Sequence, residues 1–161
     1  MLLQLQPAFK DYLWGGTRLK TDFSFQTELD PVAEGWMLSC HKDGQNTGKN
    51  GKHKGKTLSQ VIAEEGKGLL GTHCADRTEF PILIKLIDAK QNLSVQVHPD
   101  DAYARRVEGE PGKTECWYIL DCDEGAELIY GFKQKISKAE FRERIENNTF
   151  LEVVNHVKVH K

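Results

Sequence analysis

The segment that most constrains the fold spans residues 93–103 and reads Leu-Ser-Val-Gln-Val-His-Pro-Asp-Asp-Ala-Tyr. Up to His98 its polar and apolar residues alternate, which is typical of a β-strand over 93–98 with one polar face. Successive strand side chains point to opposite faces, so Ser94, Gln96 and His98 share one face. Pro99 has no N–H to donate to a ladder, and it ends the predicted strand beside His98.

A second segment, residues 112–120, reads Gly-Lys-Thr-Glu-Cys-Trp-Tyr-Ile-Leu and predicts another strand. Glu115 lies at the start of this strand, and Lys113 precedes it by two residues, so both face the same side. The amide oxygen of Gln96, the imidazole of His98 and the carboxylate of Glu115 suit a borderline metal such as zinc. Such a ligand set usually takes one more partner, and no convincing fourth ligand is evident in the sequence.

The composition is that of a soluble protein with one sizeable core. The chain has 161 residues and a formal net charge of −2, with 39% hydrophobic and 29% charged residues. This charge argues against nucleic acid or an anionic membrane as the main partner, because both favour a basic surface. The longest mainly apolar run, 81–87, is too short to span a bilayer. The N-terminal residues lack the pattern of a secretory signal, so a cytoplasmic location is expected.

Four cysteines are present and none forms a Cys-x-x-Cys pair, so we expect reduced thiols. They are Cys40, Cys74, Cys116 and Cys122. An alternative zinc site would combine Cys40 and His41 with His73 and Cys74. Adjacent residues of an extended chain point apart, however, and this spacing matches no common zinc module. Alternatively, the four cysteines are buried or partly buried and serve as small apolar residues.

The rest of the chain predicts a mainly β protein with short, locally encoded helices. Thr57-Leu-Ser-Gln60 and Ser137-Lys-Ala-Glu140 are capping-box patterns, and each predicts a helix start. Further strands are expected over 34–40, 80–88 and 126–132, the second of them buried on both faces. Residues 153–159 fit either the end of a helix or another strand. Residues 44–56, rich in glycine, lysine and asparagine, predict a solvated loop, and Asp100 and Asp101 are expected to cap the turn after them.

Five motifs together resemble a known family. They are Tyr-Leu-Trp-Gly-Gly at 12–16, Phe-Pro-Ile-Leu-Ile-Lys-Leu-Ile-Asp at 80–88, the segments 93–103 and 112–120, and Ile-Tyr-Gly at 129–131. The chain resembles the N-terminal portion of a type I mannose-6-phosphate isomerase (phosphomannose isomerase) of the short bacterial kind. The resemblance implies a cupin-like (jelly-roll) β-sandwich, incomplete at its C-terminus. It also implies that residues 1–161 form a single cupin-type metal-binding domain of a longer enzyme.

The resemblance assigns expected roles to five residues. Gln96, His98 and Glu115 match Zn²⁺ ligands of the family. Ser94 and Lys113 match positions where the family binds the substrate or its phosphate, and Lys113 is the candidate catalytic residue, since its ammonium is suited to steady developing negative charge. The implied reaction interconverts mannose 6-phosphate and fructose 6-phosphate through a cis-enediol. The general acid and base stay unassigned.

The sequence also departs from the family. Members are longer, and their remaining part carries a further histidine ligand in a Pro-x-Gly-x-x-His motif and a catalytic arginine, neither of which occurs here. His156 and His160 are a weaker alternative for the fourth ligand, and solvated histidines are the simpler interpretation. The three tryptophans, Trp14, Trp36 and Trp117, are expected to line the core or a cavity.

Two other functions therefore stay open at the sequence level. One is a non-catalytic truncated cupin that binds metal or sugar phosphate. The other is an iron-dependent cupin oxygenase, which is disfavoured because such sites usually use more imidazoles. Uncovered strand edges of an incomplete cupin would also favour self-association.

Overall fold

The computed structural model describes residues 2–161 and divides into two compact units, Met1–Leu93 and Ser94–Lys161. Both are built from short β-strands and short helices, as the sequence predicts. No α-helix within the described residues is both long and apolar enough to cross a membrane.

The part of the first unit that the structure describes contains five strands and two α-helices. Their bounds are β1 Leu5–Gln6, β2 Ala8–Lys10, α1 Arg18–Thr21, β3 Glu34–Leu38, β4 Thr47–Gly48, α2 Leu58–Glu65 and β5 Ile84–Ile87. Short 3-10 helices occupy Gly51–His53, Lys67–Leu70 and Thr72–Cys74. The strands form an antiparallel sheet in the order β2-β3-β5 and a separate antiparallel pair, β1-β4. The strand predicted over 34–40 is thus confirmed at β3.

Helix α2 begins where the sequence predicts it. The hydroxyl of Thr57 accepts from the Gln60 backbone N–H at 3.3 Å, and the Gln60 side chain accepts from the Thr57 N–H at 2.8 Å. This reciprocal capping box satisfies two N–H groups that lack a partner inside the helix. Gly66 ends the helix with φ 84°. The helix buries Leu58 and Ile62 against Cys40, and this cluster is the core of the unit.

The prediction of a solvated loop over 44–56 is wrong in part. Asn46 and His53 are buried, at 0% and 3% exposure. The Asn46 amide accepts from the Ser39 N–H at 2.6 Å and donates to the carbonyls of Trp36 at 2.7 Å and Gln6 at 3.1 Å. The Asn46 side chain therefore supplies hydrogen-bond partners to backbone groups of neighbouring segments. These hydrogen bonds explain why a polar side chain is buried here.

The strand predicted over 80–88 is shorter than expected and is not buried on both faces. It is confined to β5, Ile84–Ile87, which lies at the edge of its sheet and, among residues 2–161, pairs with β3 alone. Ile82 and Ile84 are 55% and 48% exposed. Apolar composition predicts burial only where another layer covers the strand, and in this unit the covering layer is incomplete.

The second unit contains two helices and one strand pair. Their bounds are α3 Asp101–Val107, β6 Glu127–Phe132, α4 Lys138–Glu146 and β7 Val154–Lys158, with a 3-10 turn at Phe150–Glu152. Strands β6 and β7 pair antiparallel, which confirms the strand predicted over 126–132. Of the two alternatives for residues 153–159, the structure shows the strand. Ser137 caps α4 by accepting from the Glu140 N–H at 3.1 Å. Phe132, Phe141 and Phe150 pack edge to face between these elements.

Residues 93–98 and 115–120 are not β-strands in the structure, contrary to prediction. Neither segment is paired with a strand among residues 2–161, and a strand is defined by its hydrogen-bonded ladder. Their apolar side chains are correspondingly uncovered, with Val97 80% and Tyr118 86% exposed. The predicted self-association through such edges, and the predicted single domain over 1–161, stay predictions.

Candidate metal and substrate site

The second unit brings the two predicted site segments together through a tight turn around α3. Asp100 caps α3 by accepting from the Tyr103 N–H at 2.8 Å, as predicted. Asp101, instead of capping, accepts from the Gly112 N–H at 2.8 Å. The Lys113 N–H then donates to the Pro99 carbonyl at 3.2 Å. These bonds join the end of one site segment to the start of the other.

Gly112 makes this close approach sterically possible. A Cβ atom at this position would lie 2.5 Å from the Asp101 nitrogen, 2.6 Å from the Asp100 carbonyl carbon and 2.8 Å from the Pro99 oxygen. All three are backbone atoms, which cannot rotate away as a flexible side chain would. Only glycine therefore fits here without shifting the segment that carries the predicted site residues.

Three of the predicted site residues converge directly after this turn. His98 Nε2 lies 3.2 Å from Glu115 Oε2. The Lys113 ammonium lies 2.8 Å from the same Glu115 oxygen and 3.1 Å from His98 Nε2. The side chains of His98 and Glu115 are 26% and 30% exposed, and that of Lys113 is 45% exposed. The cluster is thus half-buried and open to a ligand from solvent.

The donor chemistry of this cluster fits a cation. His98 Nε2 faces both the Lys113 ammonium, which can only donate a hydrogen bond, and the Glu115 carboxylate, which can only accept one, so its role in each contact depends on the imidazole tautomer. The imidazole nitrogen and a carboxylate oxygen thus lie around one positively charged group. A histidine nitrogen and a carboxylate oxygen are ligand atoms that zinc uses in proteins.

The carboxyl of Glu115 has a lowered pKa, which results from opposing effects. Partial burial would by itself raise the pKa, because it penalises the charged form. Hydrogen bonds from Lys113 and Trp117, with the positive charges of Lys113 and His98, outweigh the burial and lower it. The Trp117 indole N–H donates to Glu115 Oε1 at 2.6 Å. Glu115 is thus held as a carboxylate, the form that can bind a metal.

Ser94 and Gln96 are hydrogen-bonded to each other in the structure. The Gln96 amide nitrogen donates to the Ser94 hydroxyl at 3.0 Å, and both residues are exposed. This contact agrees with the period-two expectation that the two side chains share a face. The structure pairs them with each other and does not bring Gln96 onto His98 and Glu115.

The alternative ligands have other partners. His156 lies on β7, and its Nδ1 is 3.1 Å from Glu127 Oε2 on β6. Cys40, Cys74, Cys116 and Cys122 are free thiols in the structure. Across residues 2–161, no three His, Cys, Asp or Glu side chains come together in a group that could hold a metal ion.

Trp117 is the site residue that the sequence reasoning missed. We expected it to line a core or cavity, but it is 47% exposed and donates to Glu115. The available signal was its spacing, because residues two apart in an extended segment share a face. The same Glu-x-Trp arrangement recurs at β3, where the Trp36 indole donates to Glu34 Oε2 at 2.6 Å.

Comparisons with known proteins define the class of this chain as a mainly β, cupin-like fold. The family described as phosphomannose isomerase type I, catalytic domain, matches residues 2–133. The chain therefore belongs to the type I phosphomannose isomerase family, as the sequence motifs indicate.

Individual relatives agree with this assignment. The chain is 45% identical over 158 residues to the mannose-6-phosphate isomerase ManA of Bacillus subtilis, covering 98% of this chain and 49% of the relative. It is 46% identical over 143 residues to the mannose-6-phosphate isomerase of Streptococcus mutans, covering 89% and 44% of the two chains.

A solved structure gives the same result for the fold. The crystal structure of the mannose 6-phosphate isomerase from Bacillus subtilis superposes with a TM-score of 0.89 at 41% sequence identity. The match covers 98% of this chain and 49% of that one. The chain thus spans about half the length of the relatives that it matches.

Proposed function

We propose that this chain is the metal-binding portion of a zinc-dependent aldose–ketose isomerase that interconverts mannose 6-phosphate and fructose 6-phosphate. The observation that carries the proposal is the convergence of His98 Nε2 and Glu115 Oε2, 3.2 Å apart, on one cationic group. Membership of the type I phosphomannose isomerase family supports the reaction class. The imidazole of His98 and the carboxylate of Glu115 support zinc as the metal.

In this proposal His98, Glu115 and Gln96 hold the zinc ion. When bound, zinc supplies Lewis-acid polarisation of substrate oxygens. Gln96 joins the other two ligands by leaving its contact with Ser94. Residues 1–161 then act as one cupin-type metal-binding domain.

Lys113 and Ser94 are the proposed substrate-binding residues. A metal ion and an ammonium are both positive, so we expect Lys113 to leave His98 and Glu115 when zinc binds. Its ammonium then faces the substrate, where it pairs with the phosphate or with the negative charge that develops during proton transfer. The Ser94 hydroxyl, released from Gln96, is free to bind a sugar or phosphate oxygen.

A second candidate is zinc or sugar-phosphate binding without turnover. It is favoured by the absence of a third His, Cys, Asp or Glu from the cluster within residues 2–161. The first candidate and the zinc-binding form of the second both require zinc binding at His98 and Glu115, and only the first requires chemistry.

The test measures zinc affinity and isomerase turnover on the purified 161-residue chain. Zinc affinity is measured by competition with a chromogenic chelator, and turnover on mannose 6-phosphate by a coupled assay. We expect His98→Ala and Glu115→Ala each to lose zinc binding. The matched control is His156→Ala, which removes a histidine paired with Glu127 and should leave zinc affinity unchanged.

Each outcome is decisive. Zinc binding with turnover, both lost in the two variants, supports the isomerase. Zinc binding without turnover, in folded protein, supports the second candidate. Failure of the wild-type chain to bind zinc, or retention of full affinity in both ligand variants, overturns the proposed site.

A further inference from the structure

We infer that Trp117 is a positioning residue that fixes the Glu115 carboxylate so that one defined oxygen, Oε2, is presented to the metal. This inference rests on the proposed function, because it assumes that Glu115 is a ligand. It assigns a role to a residue that lies outside the predicted set of ligands and substrate-binding groups.

The two carboxylate oxygens of Glu115 have different contacts. Trp117 Nε1 donates to Oε1 at 2.6 Å, whereas Lys113 and His98 both face Oε2, at 2.8 and 3.2 Å. The hydrogen bond from the indole therefore occupies Oε1 and leaves Oε2 facing Lys113 and His98. Rotation of the carboxylate about its last bond would break the indole bond.

The other Glu-x-Trp pair of the chain, Glu34 and Trp36, divides its contacts differently. In the Glu-x-Trp pair of β3, the Trp36 indole and the Lys85 ammonium both contact the same oxygen, Oε2 of Glu34, at 2.6 and 3.1 Å. That carboxylate is buried in an ion pair, at 6% exposure, with both donors on one side. In the Trp117 pair the two donors take different oxygens, which keeps Oε2 aimed at His98.

A hydrogen bond of this kind strengthens metal binding by a side chain. Groups that hydrogen-bond a ligating side chain fix its orientation, and their loss typically lowers metal affinity by about 10–100-fold. Trp117 is well suited to this role, because an indole N–H donates only and cannot compete for the metal. Its ring also has few rotatable bonds, so little conformational freedom is lost when it holds Glu115.

The test compares Trp117→Phe with wild type, using zinc affinity from chelator competition as the primary readout. We expect zinc affinity to fall by about 10–100-fold, because the aromatic ring is kept and only the N–H donor is lost. With Co²⁺ as the probe, we also expect a change in the visible absorption bands, which report the coordination of the ion. Tyr118→Phe is the matched control, since it removes one polar group from the adjacent residue, which is 86% exposed.

A second measurement needs no variant. In the wild-type protein, the Trp117 indole N–H resonance should stay protected from hydrogen exchange when zinc is added. Loss of that protection on zinc binding would overturn the inference, as would Trp117→Phe with wild-type zinc affinity and an unchanged Co²⁺ spectrum. Absence of zinc binding by the wild-type chain would instead refute the proposed function, so the two failures are distinguishable.

Discussion

The side chain of Asn46 provides the sharpest quantitative test of how this fold is held together. It is fully buried, and its amide makes three hydrogen bonds to the backbone, to Ser39, Trp36 and Gln6. Asn46→Ala removes all three partners at once. At about 1 kcal/mol of net stability per bond, and more where a buried group stays unpaired, we expect a loss of about 3 kcal/mol.

The assay is urea denaturation followed by far-UV circular dichroism. With an m-value of about 2 kcal/mol/M, a loss of about 3 kcal/mol lowers the midpoint by about 1.5 M. Hydrogen exchange of the Ser39 amide gives a local readout, because its N–H donates to Asn46 Oδ1 and should lose protection in the variant. The two measurements together separate local opening from global destabilisation.

The matched control is Asn50→Ala, the same chemical change at an exposed position. The Asn50 amide donates to one exposed side chain, that of Gln4, at 2.9 Å. We expect this variant to lose less than about 0.5 kcal/mol. If the two variants shift the midpoint equally, or if the Ser39 amide keeps its protection in Asn46→Ala, the reasoning from buried hydrogen bonds is refuted.

Two further predictions concern the helix start and the site turn. Thr57→Ala breaks the capping box of α2 and should lower the free energy of unfolding, measured by urea denaturation, by about 1 kcal/mol. Thr149→Ala, at a helix start without a side-chain cap bond, should lower it much less. Equal losses in the two variants would contradict the role of the cap. Gly112→Ala places a Cβ 2.5 Å from the Asp101 nitrogen, so we expect lower stability and, by displacement of Lys113 and Glu115, weaker zinc binding in the chelator assay. Gly68→Ala, where a Cβ meets nothing within 4 Å, should change neither quantity, and an unchanged zinc affinity in Gly112→Ala would show that the turn does not position the site.

Local hydrogen bonds explain which elements were predictable. The caps at Thr57, Asp100 and Ser137 each involve a backbone N–H three residues later, so the sequence around them contains both partners. Helices α2, α3 and α4 begin directly after these residues. The family motifs and the period-two spacing also identified His98, Lys113 and Glu115, which the structure brings together.

Long-range pairing explains what was not predictable. Residues 93–98 and 115–120 have the composition of strands, but a strand needs a hydrogen-bonded partner, and no local pattern states which segment supplies it. The burial of Asn46 likewise depends on Gln6, 40 residues away. Trp117 contacts one oxygen of Glu115, and Lys113 and His98 contact the other. This division depends on how the segment that carries His98 meets the segment that carries Glu115.

By itself, then, the sequence determined the family, the helix starts and the identity of the groups at the candidate site, because these depend on residue type and on contacts within a few positions. Only the tertiary structure decided that Glu115 presents Oε2 toward His98, and that Gly112 is required where the turn packs against Pro99 and Asp101. These features depend on distances between segments far apart along the chain, and such distances are set by packing and backbone pairing.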